Sequence, residues 1–129
     1  MSECKNWRKS LLPKNATIGQ AIKNLNETGI KLVMCVDAYN CLLGAITDGD
    51  IRRGLLSGLK MEDLVGSIMN KKPLVVPVTS GREFVRSLMK ANRILQVPFI
   101  DEGGRVVGLH LWDEFEGISL ENVLVIMTG

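Results

Sequence analysis

Hydrophobic and polar positions repeat in the same order twice along the chain. In the first copy, residues 17–28 predict a helix, because a capping box opens the segment and apolar side chains recur at a 3.6-residue period. Gly29 predicts a left-handed end to this helix. The apolar run 32–36 predicts a strand buried on both faces, and 42–46 predicts a second strand. Residues 47–50 then begin a further helix.

The second copy presents the same elements later in the chain. Residues 80–83 again indicate a capping box, and strands are predicted at 97–100 and 105–109 with a turn between them. A last helix is predicted to begin at Trp112. The helix after the capping box is expected to bury four apolar side chains, namely Phe84, Val85, Leu88 and Met89.

The spacing between matching landmarks sets the register of the two copies. The step from Asp37 to its counterpart Asp101 is one position longer than the step from Thr17 to its counterpart Ser80. The second copy is therefore predicted to hold one extra residue between its helix and its strand.

Lead strands are predicted at 11–16 and 74–78, which gives each copy the order β-α-β-β-α. We therefore predict an α+β fold of two pseudo-symmetric repeats with small sheets and helices on one face. Between the repeats, Leu64, Val65, Ile68 and Met69 form a short helical stripe that is expected to pack on the core. One module over 1–129 is expected, with repeat one at about 11–58, the connector at about 59–72 and repeat two at about 73–116.

Composition narrows the classes of protein that fit this pattern. The chain has 129 residues, 46% of them hydrophobic, and a formal net charge of +2, which favours one folded domain and no nucleic-acid partner. Its apolar runs are far shorter than the roughly 20 residues of a membrane helix, and the polar N-terminus lacks a secretory signal. No membrane partner and a cytoplasmic location are therefore expected. The three cysteines form no Cys-x-x-Cys pair, so structural thiols and no metal site are predicted.

Two segments carry a resemblance to a known family. Residues 43–53, and residues 97–101 with Val107 and Gly108, resemble the tandem CBS-domain pair, and the resemblance extends over about residues 11–115. Such pairs usually bind adenine nucleotides or related adenosyl compounds in a cleft between their repeats. The resemblance implies a regulatory module without catalytic residues, which requires no cofactor and binds AMP, ADP, ATP or S-adenosylmethionine.

The first copy supplies residue types that nucleotide binding needs. Thr47 ends a strand and Asp50 lies in the first turn of the next helix, where unpaired N–H groups and the helix dipole favour a phosphate. Thr47 is expected to contact phosphate or ribose, Asp50 to accept both ribose hydroxyls, and Arg53 to contact phosphate. By resemblance, the adenine pocket is lined from the other repeat by Val75, Val76, Ile94, Leu95 and Gln96.

The same residues also fit purely structural roles, which the sequence leaves open. Thr47 or Asp48 would cap the helix, a contribution of about 1 kcal/mol. Arg53 would form a surface ion pair along the helix. Val75 and Ile94 would pack in the core.

The second copy departs from the binding pattern. Leu111 and Glu114 stand where the first copy has Thr47 and Asp50, and a leucine side chain neither donates nor accepts a hydrogen bond. The mirror-image second site is therefore predicted to be degenerate, and it would be lined by Ile30, Lys31, Leu32 and Glu114.

Residues 117–129 match neither repeat. Their apolar strand ends in Thr128 and Gly129 and resembles the first strand of a sugar-phosphate nucleotidyltransferase, a group in which some members carry a CBS pair N-terminally. A short Trp-containing lead like residues 6–9 also occurs there. The CBS pair of arabinose 5-phosphate isomerases has a similar Thr-Asp-Gly-Asp segment, but its catalytic domain precedes the pair. We therefore expect a regulatory module with a nucleotidyltransferase domain downstream.

Two other functions fit parts of the sequence. A scaffold without ligand would use a homodimer formed through the helices that follow each hairpin, whose apolar residues are Leu55, Leu56, Leu59, Trp112 and Phe115. An aspartate-dependent phosphotransferase would use Asp48 and Asp50 as nucleophile and acid. The latter lacks the Gly-Thr that this chemistry needs directly afterwards, so the chain is not expected to be an enzyme.

Overall fold

The first repeat forms one three-stranded sheet with two helices. A computed structural model describes residues 6–112 of the chain. In the first repeat, a 3-10 helix (Trp7–Ser10) precedes the elements β1 (Leu11–Pro13), α1 (Ile18–Thr28), β2 (Val33–Val36), β3 (Leu42–Ile46) and α2 (Asp48–Leu56).

The second repeat forms a matching sheet. After a 3-10 turn (Val65–Ser67), it contains β4 (Val76–Pro77), α3 (Arg82–Asn92), β5 (Gln96–Ile100) and β6 (Val106–Leu111). The strand orders are β1-β2-β3 in one sheet and β4-β5-β6 in the other. In each sheet the middle strand pairs in parallel with the first strand and antiparallel with the last. The α+β prediction with two small sheets is thus confirmed. A helix is also predicted to begin at Trp112, but its residues after Trp112 lie outside the described range.

Both hairpins carry the same irregularities at equivalent positions. The pairing register shifts between Cys35 and Val36 in one sheet and between Phe99 and Ile100 in the other. Asp37 and Asp101 each use Oδ1 to accept backbone N–H groups two and four positions later. These hydrogen bonds, the one from Arg105 first, hold the pKa of Asp101 below its usual value.

The repeats are related by one constant spacing, so the predicted extra residue is wrong. The N-cap of α1 is Thr17 and the N-cap of α3 is Gly81, a step equal to the one from Asp37 to Asp101. Thr17 forms the predicted capping box with Gln20, whereas Gly81 has no side chain to cap with. The second predicted capping box is therefore wrong, because Ser80 lies one residue too early.

The same shift moves the buried face of α3. Val85 and Met89 are fully buried, Leu88 is half-buried and Phe84 is 56% exposed. The prediction that Phe84 is buried is therefore wrong. Phe84 precedes Val85 by one residue, which turns its side chain about 100° around the helix and away from the buried stripe.

Strand β2 is buried on both faces, as predicted. Val33 and Cys35 point into a core shared with α1, and Met34 and Val36 point into a second core that Val106 and Leu109 of the other repeat complete. The second core therefore joins the repeats. A third core lies under α3. Burial raises the pKa of the Cys35 thiol, Cys41 is half-buried, and Cys4 lies outside the described residues.

The connector packs on the first repeat. Val65 is fully buried in the first core, and Ile68 and Met69 pack against it, while Leu64 is 51% exposed. Backbone hydrogen bonds join Val65 N–H to the carbonyl of Ala16, and they join Ala45 and Asn70 in both directions. In the part of the chain that the structure describes, no helix is long and apolar enough to cross a membrane.

Gly108 leaves room for the ring of Phe99, its partner on the neighbouring strand. A Cβ at Gly108 would overlap this ring, which is confined by the third core. Gly108→Ala is therefore expected to lower the free energy of unfolding by about 1–3 kcal/mol. Urea denaturation measures this as a lower midpoint with an unchanged slope. Gly66→Ala is the matched control, because a Cβ there meets nothing within 4 Å; equal midpoints for the two variants would contradict the expectation.

Candidate functional site

A cavity of about 470 Å³ lies where the N-terminus of α2 meets the second repeat. Small-molecule sites commonly have volumes of about 300–1,000 Å³. Thr47 and Asp50 line it from the first repeat. From the second repeat it is lined by Ile94 and Leu95, which precede β5, and by Gln96, the first residue of β5. The structure thus brings together five of the residues that the sequence singles out.

Thr47 and Asp50 form a reciprocal capping box at the start of α2. Asp50 N–H donates to Thr47 Oγ1 at 3.3 Å, and Thr47 N–H donates to Asp50 Oδ2 at 2.9 Å. The Thr47 hydroxyl also donates to Oδ2 at 3.0 Å. The capping residue is therefore Thr47 and not Asp48. The same bonds hold both side chains at the wall of the cavity.

The second oxygen of Asp50 accepts from Arg53. Arg53 Nη2 donates to Oδ1 at 2.7 Å, and the Asp50 side chain is 16% exposed against 73% for Arg53. A carboxylate has about four lone-pair positions, of which these bonds use three. One acceptor position on Oδ1 therefore remains for a ligand hydroxyl. Arg53, predicted to contact phosphate, forms the alternative ion pair.

Asp48 forms the other ion pair of this helix. Arg52 Nη2 donates to its Oδ2 at 2.6 Å, and both side chains are largely exposed. Within residues 6–112, no group of three or more His, Cys, Asp or Glu side chains is placed to hold a metal ion.

Two predicted pocket residues lie elsewhere. Val76 is 1% exposed and belongs to the third core, and Val75 is half-buried outside the cavity lining. Pro73 and Leu74 line the cavity instead. Strand β4 has only two residues, and Val76 is held in the sheet by its pairing with Phe99. The residues that precede β4 therefore line the cavity instead.

The structure places the residues predicted for a second site in different parts of the fold. Lys31 and Leu32 line the same cavity as Asp50, whereas Ile30 is buried in the second core. Glu114 lies outside the described residues. Leu111, the counterpart of Thr47 in the second repeat, pairs with Gln96 in the sheet.

Sequence reasoning missed Arg93, which also lines this cavity. Arg93 is the left-handed C-cap of α3, with φ 55°. Its counterpart in the first repeat is Gly29, the left-handed C-cap of α1. The step from Gly29 to Arg93 equals the step from Thr17 to Gly81, so the constant spacing marks Arg93 as the end of a helix but does not place it at the cavity.

Comparison with known proteins identifies the family. A family model described as the CBS domain matches residues 11–57 and 65–109, one match in each repeat. The chain belongs to the CBS domain family. It is a tandem CBS pair, a regulatory module, and both matches fall on the strand-helix-strand-strand units described above.

Proteins of known sequence or known structure are similar to this chain. Arabinose 5-phosphate isomerase GutQ of Salmonella typhi is 28% identical over 101 residues, which are 78% of this chain but only 32% of GutQ. The CBS pair of MJ0100, solved with 5′-methylthioadenosine and S-adenosylmethionine, superposes with a TM-score of 0.72 at 26% identity, over 84% of this chain and 88% of that one. The CBS protein PAE2072 of Pyrobaculum aerophilum, solved with AMP, gives 0.73 at 21% identity over 88% and 90%.

The capping box of α2 is expected to stabilise the fold whether or not a ligand binds. Thr47→Ala removes the acceptor for Asp50 N–H and should lower the free energy of unfolding by about 1 kcal/mol. Thr17→Ala removes the equivalent acceptor of α1, which lies away from the cavity, and should cost a similar amount. Thermal or urea denaturation compares the two; no loss in Thr47→Ala would show that this cap does not stabilise α2.

Proposed function

We propose that this CBS pair is a regulatory module that binds an adenine nucleotide or related adenosyl compound in the cavity at the start of α2. The observation that carries the proposal is the meeting of Thr47 and Asp50 from one repeat with Ile94 and Leu95 from the other around one cavity. MJ0100, which shares the fold at 26% identity, was solved with two adenosyl compounds. That likeness supports this class of ligand.

The chemistry of the cavity suits a nucleoside. The sequence predicts that Asp50 accepts both ribose hydroxyls. Because its bonds with Thr47 and Arg53 leave one acceptor position, on Oδ1, Asp50 offers that position to a single ribose hydroxyl. Leu95 is 52% exposed, although it is a large apolar side chain at the cavity wall. With Ile94 beside it, Leu95 offers an apolar surface for an adenine ring. Thr47 and the first turn of α2 would face the phosphate end.

Ligand binding at this cavity would act on the contact between the repeats. The hairpin turns of the two repeats are also joined, because Leu42 N–H donates to the carbonyl of Gly104 and Val106 N–H donates to that of Asn40. A ligand that bridges the repeats therefore favours one relative arrangement of the two sheets. A coupling of this kind is typically worth about 1–3 kcal/mol.

Calorimetric titration with AMP, ADP, ATP and S-adenosylmethionine tests the binding. At least one of these ligands is expected to bind the wild type, and Asp50→Ala should weaken it at least tenfold, since a charge-assisted bond contributes about 1.5–3 kcal/mol. Gln20→Ala is the matched control, because Gln20 completes the capping box of α1 as Asp50 completes that of α2. Equal binding by wild type and Asp50→Ala would remove Asp50 from the site. No binding of any ligand would favour the scaffold alternative.

We further propose that the module regulates a sugar-phosphate nucleotidyltransferase domain, in the same polypeptide or in a partner, and that it forms a homodimer. The resemblance of residues 117–129 to the first strand of such an enzyme supports the catalytic partner, although that segment lies outside the described residues. Leu56, 81% exposed on α2, supports a dimer contact. The similarity to 32% of GutQ points to an isomerase as the alternative partner.

Regulation is tested on the polypeptide or complex that contains this module. Pyrophosphate release from a nucleoside triphosphate and a sugar phosphate is expected to change when the bound nucleotide is added, and Asp50→Ala should abolish that response. The response should depend on differential affinity of the nucleotide for two states. Conversion between an aldose phosphate and a ketose phosphate, without pyrophosphate release, would assign the isomerase instead.

A further inference from the structure

Two basic side chains that line the cavity have no acidic partner among residues 6–112. Lys31 lies between α1 and β2, and Arg93 is the C-cap of α3. Both are exposed, and no ion pair joins either of them to another residue in the range 6–112. Their charges are therefore available to a ligand.

The acidic side chains of the same cavity are already neutralised. Asp48 pairs with Arg52 at 2.6 Å, and Asp50 pairs with Arg53 at 2.7 Å. Once these pairs are subtracted, Lys31 and Arg93 leave an excess of positive charge at the cavity. Such an excess attracts an anion and repels a cation, and it acts most strongly at low ionic strength.

The two basic side chains are not repeated at the equivalent positions of the other repeat. Under the constant spacing, the residue of the first repeat equivalent to Arg93 is Gly29, and the residue of the second repeat equivalent to Lys31 is Leu95. Lys31 and Arg93 hold left-handed backbone conformations, with φ 70° and 55°. Asparagine tolerates this conformation better than most residues, so it is the suitable replacement.

We propose that this cavity selects its ligand by negative charge, with Lys31 and Arg93 as the residues that determine specificity. It binds phosphate-bearing adenine nucleotides in preference to adenosyl compounds without phosphate, such as S-adenosylmethionine, whose sulfonium gives it a net positive charge. The proposal rests on the proposed nucleotide-binding function and adds the ligand class. It also distinguishes this chain from MJ0100, which was solved with S-adenosylmethionine.

Titration of the whole chain with AMP, ATP, 5′-methylthioadenosine and S-adenosylmethionine tests the selectivity. AMP and ATP are expected to bind at least tenfold more tightly than the other two. Lys31→Asn and Arg93→Asn should each weaken AMP and ATP about fivefold, the size of one exposed charge interaction, and leave 5′-methylthioadenosine unchanged. Lys14→Asn, a lysine outside this cavity lining, is the control and should leave every affinity unchanged.

Ionic strength provides a second measurement. Raising the salt concentration from about 50 to 500 mM should weaken nucleotide binding by the wild type. The variant that combines Lys31→Asn with Arg93→Asn should lose most of this salt dependence. Tight binding of S-adenosylmethionine, or variants that leave AMP and ATP affinity unchanged, would overturn the charge selectivity while leaving nucleotide binding intact. Failure of all four compounds to bind would instead overturn the proposed function, and this inference with it.

Discussion

The burial of β2 on both of its faces is the constraint on which the rest of the structure depends. Alternate residues of this strand point into two different cores, one within the first repeat and one shared with Val106 and Leu109 of the second. A polar residue on the face of Val33 and Cys35 would disrupt the packing of β2 against α1. A polar residue on the face of Met34 and Val36 would disrupt the core that joins the repeats. The cavity exists because this joint holds the start of α2 against the segment that precedes β5.

At the start of α2, one set of contacts stabilises the helix and also suits the proposed binding role. The reciprocal bonds between Thr47 and Asp50 satisfy N–H groups that a helix end leaves unpaired, and they also fix a carboxylate at the cavity wall. The ion pair with Arg53 holds the other carboxylate oxygen in place. The structural and the proposed binding roles of these residues are therefore compatible, because a carboxylate accepts more hydrogen bonds than the cap requires.

How far the sequence predicts the molecule differs from one element to the next. The helix of the first repeat, its Gly29 end and the doubly buried β2 follow from local chemistry, and the structure confirms them. The second repeat is predicted less well, because Ser80 offers a plausible cap one residue too early, which also places Phe84 on the buried face. Local signals of this kind cannot decide between registers one residue apart. The hydrogen-bonded turns at Asp37 and Asp101 decide the register, because they are as far apart in the chain as the two helix caps, Thr17 and Gly81.

By itself, the sequence determined the repeated order of strands and helices and the chemistry at Thr47 and Asp50, since hydrophobic periodicity and helix capping act between residues close together in the chain. Only the tertiary structure decided which residues of the other repeat face that chemistry. It placed Val76 in a core and Pro73 in the wall, and it brought Lys31 and Arg93 to the same cavity. The physical reason is that these neighbours are set by how two sheets pack across a shared core, and no pattern within either repeat records that geometry.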